Sequence, residues 1–451
     1  MNVKFHSIAA RGDAVGTDEV GRVVFAPYGA PEDVAEVALA EEHRSYARGR
    51  ILRLESASPQ RVAPPCPYYL PAIANYAATA CGGCQIQHLN YQAQLKAKQS
   101  ILWDALHRIG GLEDSLLDNI VQPCRASPQP FHYRNKADFV LAVEKGTPQI
   151  GFFARGTHQI IDITHCPIQQ ESNNQLLKVA RACLADGLAP PFDASTGRGV
   201  LRRLVSRTGS NGEILLTAVT TRASWSQAKE FAHRMQEAIP NLVGVLQRLP
   251  RREPHIIGGR DWLEETVGAL HLRVTGEGFF QINTSLVPTL VETALHLADI
   301  QAGQRALDLF CGVGLFGLHL AQRGAEVLGI EMSRGAIRDA QYNVRRNQLD
   351  EKTVKFKVGD AAAELQNLTV GSYDLVVLDP PRAGAAACLP YLARLGPARI
   401  VYVSCDPATL ARDVKALMAY GYRLDTAVPL DLFPQTAHVE TVARLEYAGS
   451  A

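Results

Sequence analysis

The chain has 451 residues, 47% hydrophobic and 20% charged, with a formal net charge of +1. That length suggests about three domains at ~150 residues each, and the near-neutral total by itself announces no polyanionic partner. The N-terminus MNVKFHSIAARGDAVG has no apolar signal core, and no apolar run in the chain is long enough to span a bilayer. A cytoplasmic protein without membrane contact is expected. Its nine cysteines should then be reduced thiols, the clustered ones metal ligands rather than disulfides.

Residues 1–60 carry seven Lys/Arg against nine Asp/Glu. Short strands are expected at Arg22–Phe25, Val34–Val37 and Tyr46–Leu54, punctuated by Gly12, Gly16, Gly21 and Gly29. This is the pattern of a small β-barrel over residues 1–62. Ser56–Pro59 and Pro64-Pro65-Cys66-Pro67 read as linker. A helix is expected over Tyr91–Ile109, ending at Gly110-Gly111 and free to pack on a later domain. Residues 63–278 read as a cysteine-bearing segment followed by an α+β domain. Its strands are Ala137–Val143, Gln159–Ile163, Val200–Arg207 and Glu213–Val219, interrupted by helices near Gln170–Leu184 and Ser226–Ala238. From Thr196 to Arg260, eleven Lys/Arg stand against four Asp/Glu, which fits a polyanionic partner and equally a solvated surface.

Over residues 279–451 strands alternate with helices, the signature of a doubly wound, Rossmann-like sheet. The strands are Ala306–Phe310, Glu326–Ile330, Val354–Val358, Leu375–Leu378 and Ile400–Val403. Such sheets bind ligands beyond the carboxyl ends of their strands, and these ends carry Cys311-Gly312, Glu331, Asp360, Asp379 and Cys405. Gly312-Val-Gly314-Leu-Phe-Gly317 follows a strand and opens a helix, and Glu331, 19 residues past Gly312, can take ribose hydroxyls. Those residues alone would suit NAD. Asp308 beside the glycine turn repels a pyrophosphate but suits an ammonium group, so S-adenosyl-L-methionine is the expected cofactor. Asp379-Pro380-Pro381 would wall its methyl group. Cys81-Gly-Gly-Cys84, Cys66-Pro and Cys166-Pro supply four thiols that suit zinc or an iron–sulfur cluster alike.

Several motifs resemble the RNA (uracil-5)-methyltransferases. They are Gly278-Phe-Phe-Gln-Ile-Asn283, Asp308-Leu-Phe-Cys-Gly-Val-Gly314, Leu378-Asp-Pro-Pro-Arg382, Val403-Ser-Cys-Asp-Pro407 and His438-Val-Glu440, with Tyr133-Arg-Asn-Lys136 and His165-Cys-Pro-Ile168 upstream. The N-terminal barrel resembles a TRAM domain, an OB-like RNA-binding module. The resemblance is strongest to the branch that acts on bacterial 23S ribosomal RNA and carries both a TRAM domain and a cysteine cluster. It implies Cys405 as nucleophile and Glu440 as general base. It implies Gln281, Phe310, Leu315, Glu331, Asp360 and Asp379 around S-adenosyl-L-methionine. It implies Cys66, Cys81, Cys84 and Cys166 around a [4Fe–4S] cluster, with zinc the lesser choice. The family sets Cys66 and Cys81 closer together; here Pro67–Ala80 intervenes. Ala30-Pro-Glu-Asp33 also stands where a Pro-Gly-Glu turn is usual.

The implied chemistry asks for these residue types. Carbon 5 of uracil attacks a methyl group poorly until a thiolate adds at carbon 6, and a base must then release the carbon-5 proton. The implied enzyme is a monomer that needs no protein partner and flips its target uridine from the stack. Competing readings are a cytosine-5 methyltransferase, a non-catalytic RNA-binding factor and an NAD dehydrogenase.

Overall fold

The computed structural model describes residues 1–69, 80–276 and 278–449. Most of the insertion after Cys66 therefore lies outside the described residues. Strands β1 (Asn2–Ile8), β2 (Asp13–Thr17), β3 (Val23–Pro27), β4 (Val34–Glu42) and β5 (Tyr46–Ser56) close into a barrel in the order β1-β2-β3-β5-β4. Period-2 alternation turns Val3 and Phe5 inward. A bulge between Phe5 and Ser7 resets the phase, so Ile8 points inward next. Closure leaves this sheet no open edge.

Helix α1 (Tyr91–Arg108) starts at Asn90, whose Oδ1 accepts the Ala93 N–H at 2.9 Å. Ala93, Ala97 and Ile101 pack into the barrel core. Leu102 and Leu106, with Leu117 of α2 (Asp114–Ile120), pack into the core of the C-terminal sheet. One amphipathic helix thus ties the first domain to the last.

The central sheet has strands β6 (Lys136–Glu144), β7 (Thr147–Phe153), β8 (Ile160–Asp162), β9 (Leu201–Thr208), β10 (Ile214–Thr220), β11 (Leu242–Arg248) and β12 (His255–Gly259). Their order is β12-β11-β10-β9-β6-β7-β8. Helices α3 (Glu171–Ala185) and α4 (Ala228–Ala238) share its core. A hairpin follows, β13 (Trp262–Val267) and β14 (Leu270–Thr275).

The C-terminal sheet runs through α5 (Val287–Ala298), β15 (Arg305–Leu309), α6 (Leu315–Gln322), β16 (Glu326–Glu331), α7 (Arg334–Arg346) and β17 (Val354–Val358). It continues with α8 (Ala361–Leu365), β18 (Leu375–Leu378), α9 (Leu389–Leu395), β19 (Arg399–Ser404), α10 (Pro407–Ala419), β20 (Tyr422–Leu430) and β21 (Glu440–Tyr447). The strand order is β17-β16-β15-β18-β19-β21-β20. The first five strands are parallel, and β21 runs antiparallel to both neighbours. This is the expected doubly wound α/β domain beside an OB-like barrel. Hairpin β13–β14 packs with it: Leu270, Leu272 and Val274 join its core. On α7, Asp339 and Asn343 sit one turn apart and bond the backbone of β14, as Asn347 just past the helix does. They satisfy an edge that would otherwise lie open. Among the described residues no helix is long and apolar enough to cross a membrane.

Candidate active site

Because β15 to β19 are parallel, their carboxyl ends share one edge, and the functional side chains stand in a row along it. The row starts with the glycine turn. Phe310 leaves β15 with φ +61°, Gly312 has φ +54° and Gly314 has φ +91°. A side chain at Gly317 would meet Asp308 Oδ2 at 2.9 Å, so only glycine lets α6 approach the strand end. Asp308 lies fully buried beneath this turn, its Oδ2 accepting the Gly317 N–H at 2.8 Å. Burial pushes its carboxyl up to about 8, and the charges of Asp379 and Glu331 add to that. Asp308 thus fastens the glycine turn to the helix.

Glu331 ends β16, and its Oε1 accepts the Ser333 N–H at 2.8 Å. Asp360 follows β17 and caps α8 through Ala363 N–H at 2.9 Å. Leu315 is buried at the start of α6. Asp379 follows β18; burial pushes its carboxyl up to about 7. Gln281 Nε2 lies 3.5 Å from Asp379 Oδ2. Asn135 of the central domain holds the Gln281 segment by donating to Gln281 O at 3.1 Å and to Thr284 Oγ1 at 2.8 Å.

Cys405 follows β19 and is half-buried. Its neighbours explain the abrupt end of the strand. Asp406 caps α10, accepting the Ala408 and Thr409 N–H groups at 3.0 Å each, and Pro407 occupies the first helical turn. Ser404 pairs with Thr441 across β19 and β21, so Glu440 stands one step on, beside Cys405. Glu440 is only 2% exposed, the first residue of a strand rather than a solvated loop acid. Burial, then the charge of Asp379, pushes its carboxyl well above the usual range, with Arg382 opposing. Two carboxyls in one dry space each disfavour the other's ionised form. Burial and the Glu440 charge push the Cys405 thiol up to about 11, again opposed by Arg382. Glu331, Asp360 and Asp379 line the strand ends with carboxyls, which favours a cation there.

Sequence reasoning passed over what holds Glu440 in place. The β20–β21 loop is built on residues that precede the central sheet. Lys98 of α1, fully buried, pairs with Asp431 and donates to Phe433 O at 3.0 Å and His438 O at 2.8 Å. Gln94 and Gln435 bond each other twice at 3.0 Å, and Tyr133 Oη donates to Pro434 O at 2.9 Å. Gln85 N–H and Ile86 N–H donate to Gln435 O at 3.1 and 3.2 Å. The available signal was Gln94 and Lys98 recurring four residues apart on the face that ends in Leu102.

Cys66, Cys81, Cys84 and Cys166 line one cavity of about 520 Å³ that reaches Arg382, Phe433 and His438. Burial raises all four thiols, Cys81 to about 11 and Cys166 to about 12, and neighbouring thiols add to the effect at Cys81, Cys84 and Cys166. Among the described residues, no group of three or more His, Cys, Asp or Glu stands close enough to hold a metal ion.

This fold, with its glycine turn and acid-lined strand ends, defines an S-adenosyl-L-methionine-dependent methyltransferase. The family described as tRNA (Uracil-5-)-methyltransferase matches residues 90–447, and the chain belongs to it. It is similar to an uncharacterized RNA methyltransferase of Halalkalibacterium halodurans, 34% identical over 96% of this chain and 94% of that one. A second relative, an uncharacterized RNA methyltransferase of Gloeobacter violaceus, is 36% identical over 99% and 96%. Among solved structures, the Pyrococcus abyssi tRNA (uracil-54, C5)-methyltransferase in complex with S-adenosyl-L-homocysteine superposes with a TM-score of 0.74. It is 28% identical over 99% of this chain and 100% of that one.

Proposed function

We propose that the protein methylates carbon 5 of a uridine in 23S ribosomal RNA through a covalent bond to Cys405, in the cytoplasm and as a monomer. The observation that carries the chemistry is the juxtaposition of Cys405 and Glu440 across β19 and β21, next to Asp379. S-adenosyl-L-methionine supplies an electrophilic methyl group on a sulfonium. Gln281, Phe310, Leu315, Glu331, Asp360 and Asp379 would hold it along the strand ends, where the acids favour its positive charge.

Cys405 ionises only when positive charge offsets its burial, and Arg382 provides some of that charge. The thiolate adds to carbon 6, and the π electrons of the 5,6 double bond move into an enolate. The carbon-5 electrons then form a bond to the methyl group, and the broken sulfur–methyl bond would leave its electron pair on the donor sulfur as a neutral thioether. Glu440 removes the carbon-5 proton, the C–H electrons re-form the double bond, and the carbon–sulfur electrons return to Cys405. Burial and Asp379 disfavour the ionised form of Glu440, so the base step gains as pH rises.

Four thiols around one cavity, each raised chiefly by burial, form a donor set for a group that takes four thiolates. A single zinc ion needs its sulfurs about 2.3 Å from the metal, hence within ~4 Å of each other. A [4Fe–4S] cluster takes one thiolate at each of its four irons, and the family resemblance favours it over zinc. Cys66, Cys81, Cys84 and Cys166 would hold it.

A transfer RNA uridine is the second reading, favoured by the end-to-end match to the Pyrococcus abyssi enzyme. That match includes the barrel, so the barrel alone does not select ribosomal RNA. Mapping 5-methyluridine in both RNAs from a strain lacking the gene decides: loss of one site in 23S RNA supports the first reading, and loss in transfer RNA replaces it.

A further inference from the structure

The eleven-to-four basic segment gains a location once the sheet is known. Strands β10 and β11 are parallel and β9 runs against them, so the start of β9 and the ends of β10 and β11 meet at one rim. Val219 pairs with Arg203 on one side and Arg248 on the other. Around that rim Arg198, Arg202, Arg222, Arg251 and Arg252 are all exposed. Among the described residues none of these five makes an ion pair with an acid. The acids nearby are occupied or few: Asp138 pairs with Arg203 at 2.7 Å, Asp193 is bonded by Ser195 and Thr196, and Glu253 stands alone.

Two details show a rim built to present charge. The Arg202 guanidinium lies 4.6 Å over the Phe192 ring, which orients its planar fork while leaving its N–H groups outward. Leu249-Pro250-Arg251-Arg252 forms a tight turn closed by Arg252 N–H on Leu249 O at 3.2 Å. Arg251 sits in it at φ +62°, the position behind a proline where glycine is the favoured residue. An arginine there costs backbone strain, and its side chain is exposed.

We propose that this rim is a docking surface for the phosphate backbone of the substrate RNA, beyond the target uridine. The inference rests on the RNA-methylating reading above. Arg207, near the far end of β9, donates to Gly278 O at 2.7 Å beside the Gln281 segment. The six steps from Leu201 to Arg207 span about 20 Å at ~3.3 Å each. A stacked strand covers that in roughly six nucleotides at ~3.4 Å each. An unstacked strand, rising about twice as far per nucleotide, covers it in about three, so RNA ending within about two nucleotides of the target falls short of the rim.

The test uses the full-length protein and two variants, R202Q/R222Q/R252Q and R251G. RNA affinity is measured against salt with a long 23S transcript and with a fragment ending about two nucleotides from the methylated uridine. Losing three phosphate contacts should weaken binding of the long transcript about tenfold and flatten the log–log salt slope by about 2. Binding of the short fragment, and kcat on it, should stay at the wild-type value. R251G should lose affinity while its melting temperature holds or rises, because strain leaves with the charge. Unchanged affinity and slope in the triple variant would overturn the proposal, as would R251G losing stability and affinity together. Wild-type protein that binds long RNA with this salt slope yet transfers no methyl group would instead sink the functional reading and leave the rim standing.

Discussion

Lys98→Met isolates the link between the first domain and the catalytic loop. Lys98 and Asp431 are both 0% exposed, so the substitution strands a buried carboxylate and two carbonyls, those of Phe433 and His438. Removing one partner of a buried ion pair costs about 3–5 kcal/mol. In a cooperative unit of 150–250 residues each kcal/mol moves the melting temperature by about 2–4 °C, so a drop of roughly 6–20 °C is expected. Thermal unfolding followed by circular dichroism reads it. Adding Asp431→Leu should restore a good part of the loss, since an apolar pair of similar volume replaces two charges. At temperatures where Lys98→Met stays folded, it should accumulate protein–RNA adduct, because the His438 carbonyl no longer fixes the approach to Glu440. A melting shift below about 2 °C, or normal turnover without adduct, would refute the reasoning.

Leu106→Ala removes a fully buried side chain where α1 meets the C-terminal sheet and should cost about 2–5 kcal/mol, read by the same melt, with donor affinity unchanged in the folded protein. Asp379 binds a proton more tightly folded than unfolded, since its carboxyl rises from 3.8 to about 7. Its contribution to stability is therefore intact below pH 4 and falls as pH rises towards 7. Asp379→Asn should flatten that fall in a melting series across pH 4–8, and the wild type's affinity for S-adenosyl-L-methionine should increase through about pH 7 in calorimetry. Anaerobically purified protein should be brown with iron and sulfide, and Cys84→Ser should lose colour; a colourless protein with stoichiometric zinc would point to the other thiolate metal.

The doubly wound sheet was legible because its strands are short apolar runs spaced by helical periods, and because each strand end carries a distinctive residue. The barrel was legible from glycine spacing, though β1 and β2 were not named: Asn2, Lys4 and His6 alternate with apolar residues too briefly to stand out. Strands β20 and β21 went unread, and with them the buried setting of Glu440. Val428-Pro-Leu430 and Val442-Ala443 give weak periodicity, and only pairing with β19 makes them strands. Asp308 shows what a motif leaves out: its Oδ2 also fastens the Gly317 N–H, while its Oδ1 is buried with no partner among the described residues. Lys98 shows another limit, because a lysine inside a helix reads as solvated until the loop that surrounds it is placed.

The central claim is that Cys405 bonds the uracil and Glu440 releases it. Glu440→Gln keeps the side chain's shape and removes the basic carboxylate, so addition and methyl transfer should proceed and elimination should stop. Incubated with substrate RNA and S-adenosyl-L-methionine labelled in the methyl group, this variant should yield a labelled protein–RNA species that survives denaturing electrophoresis. Adding Cys405→Ala should erase it. Normal turnover by Glu440→Gln, or a labelled adduct that persists without Cys405, would contradict the account.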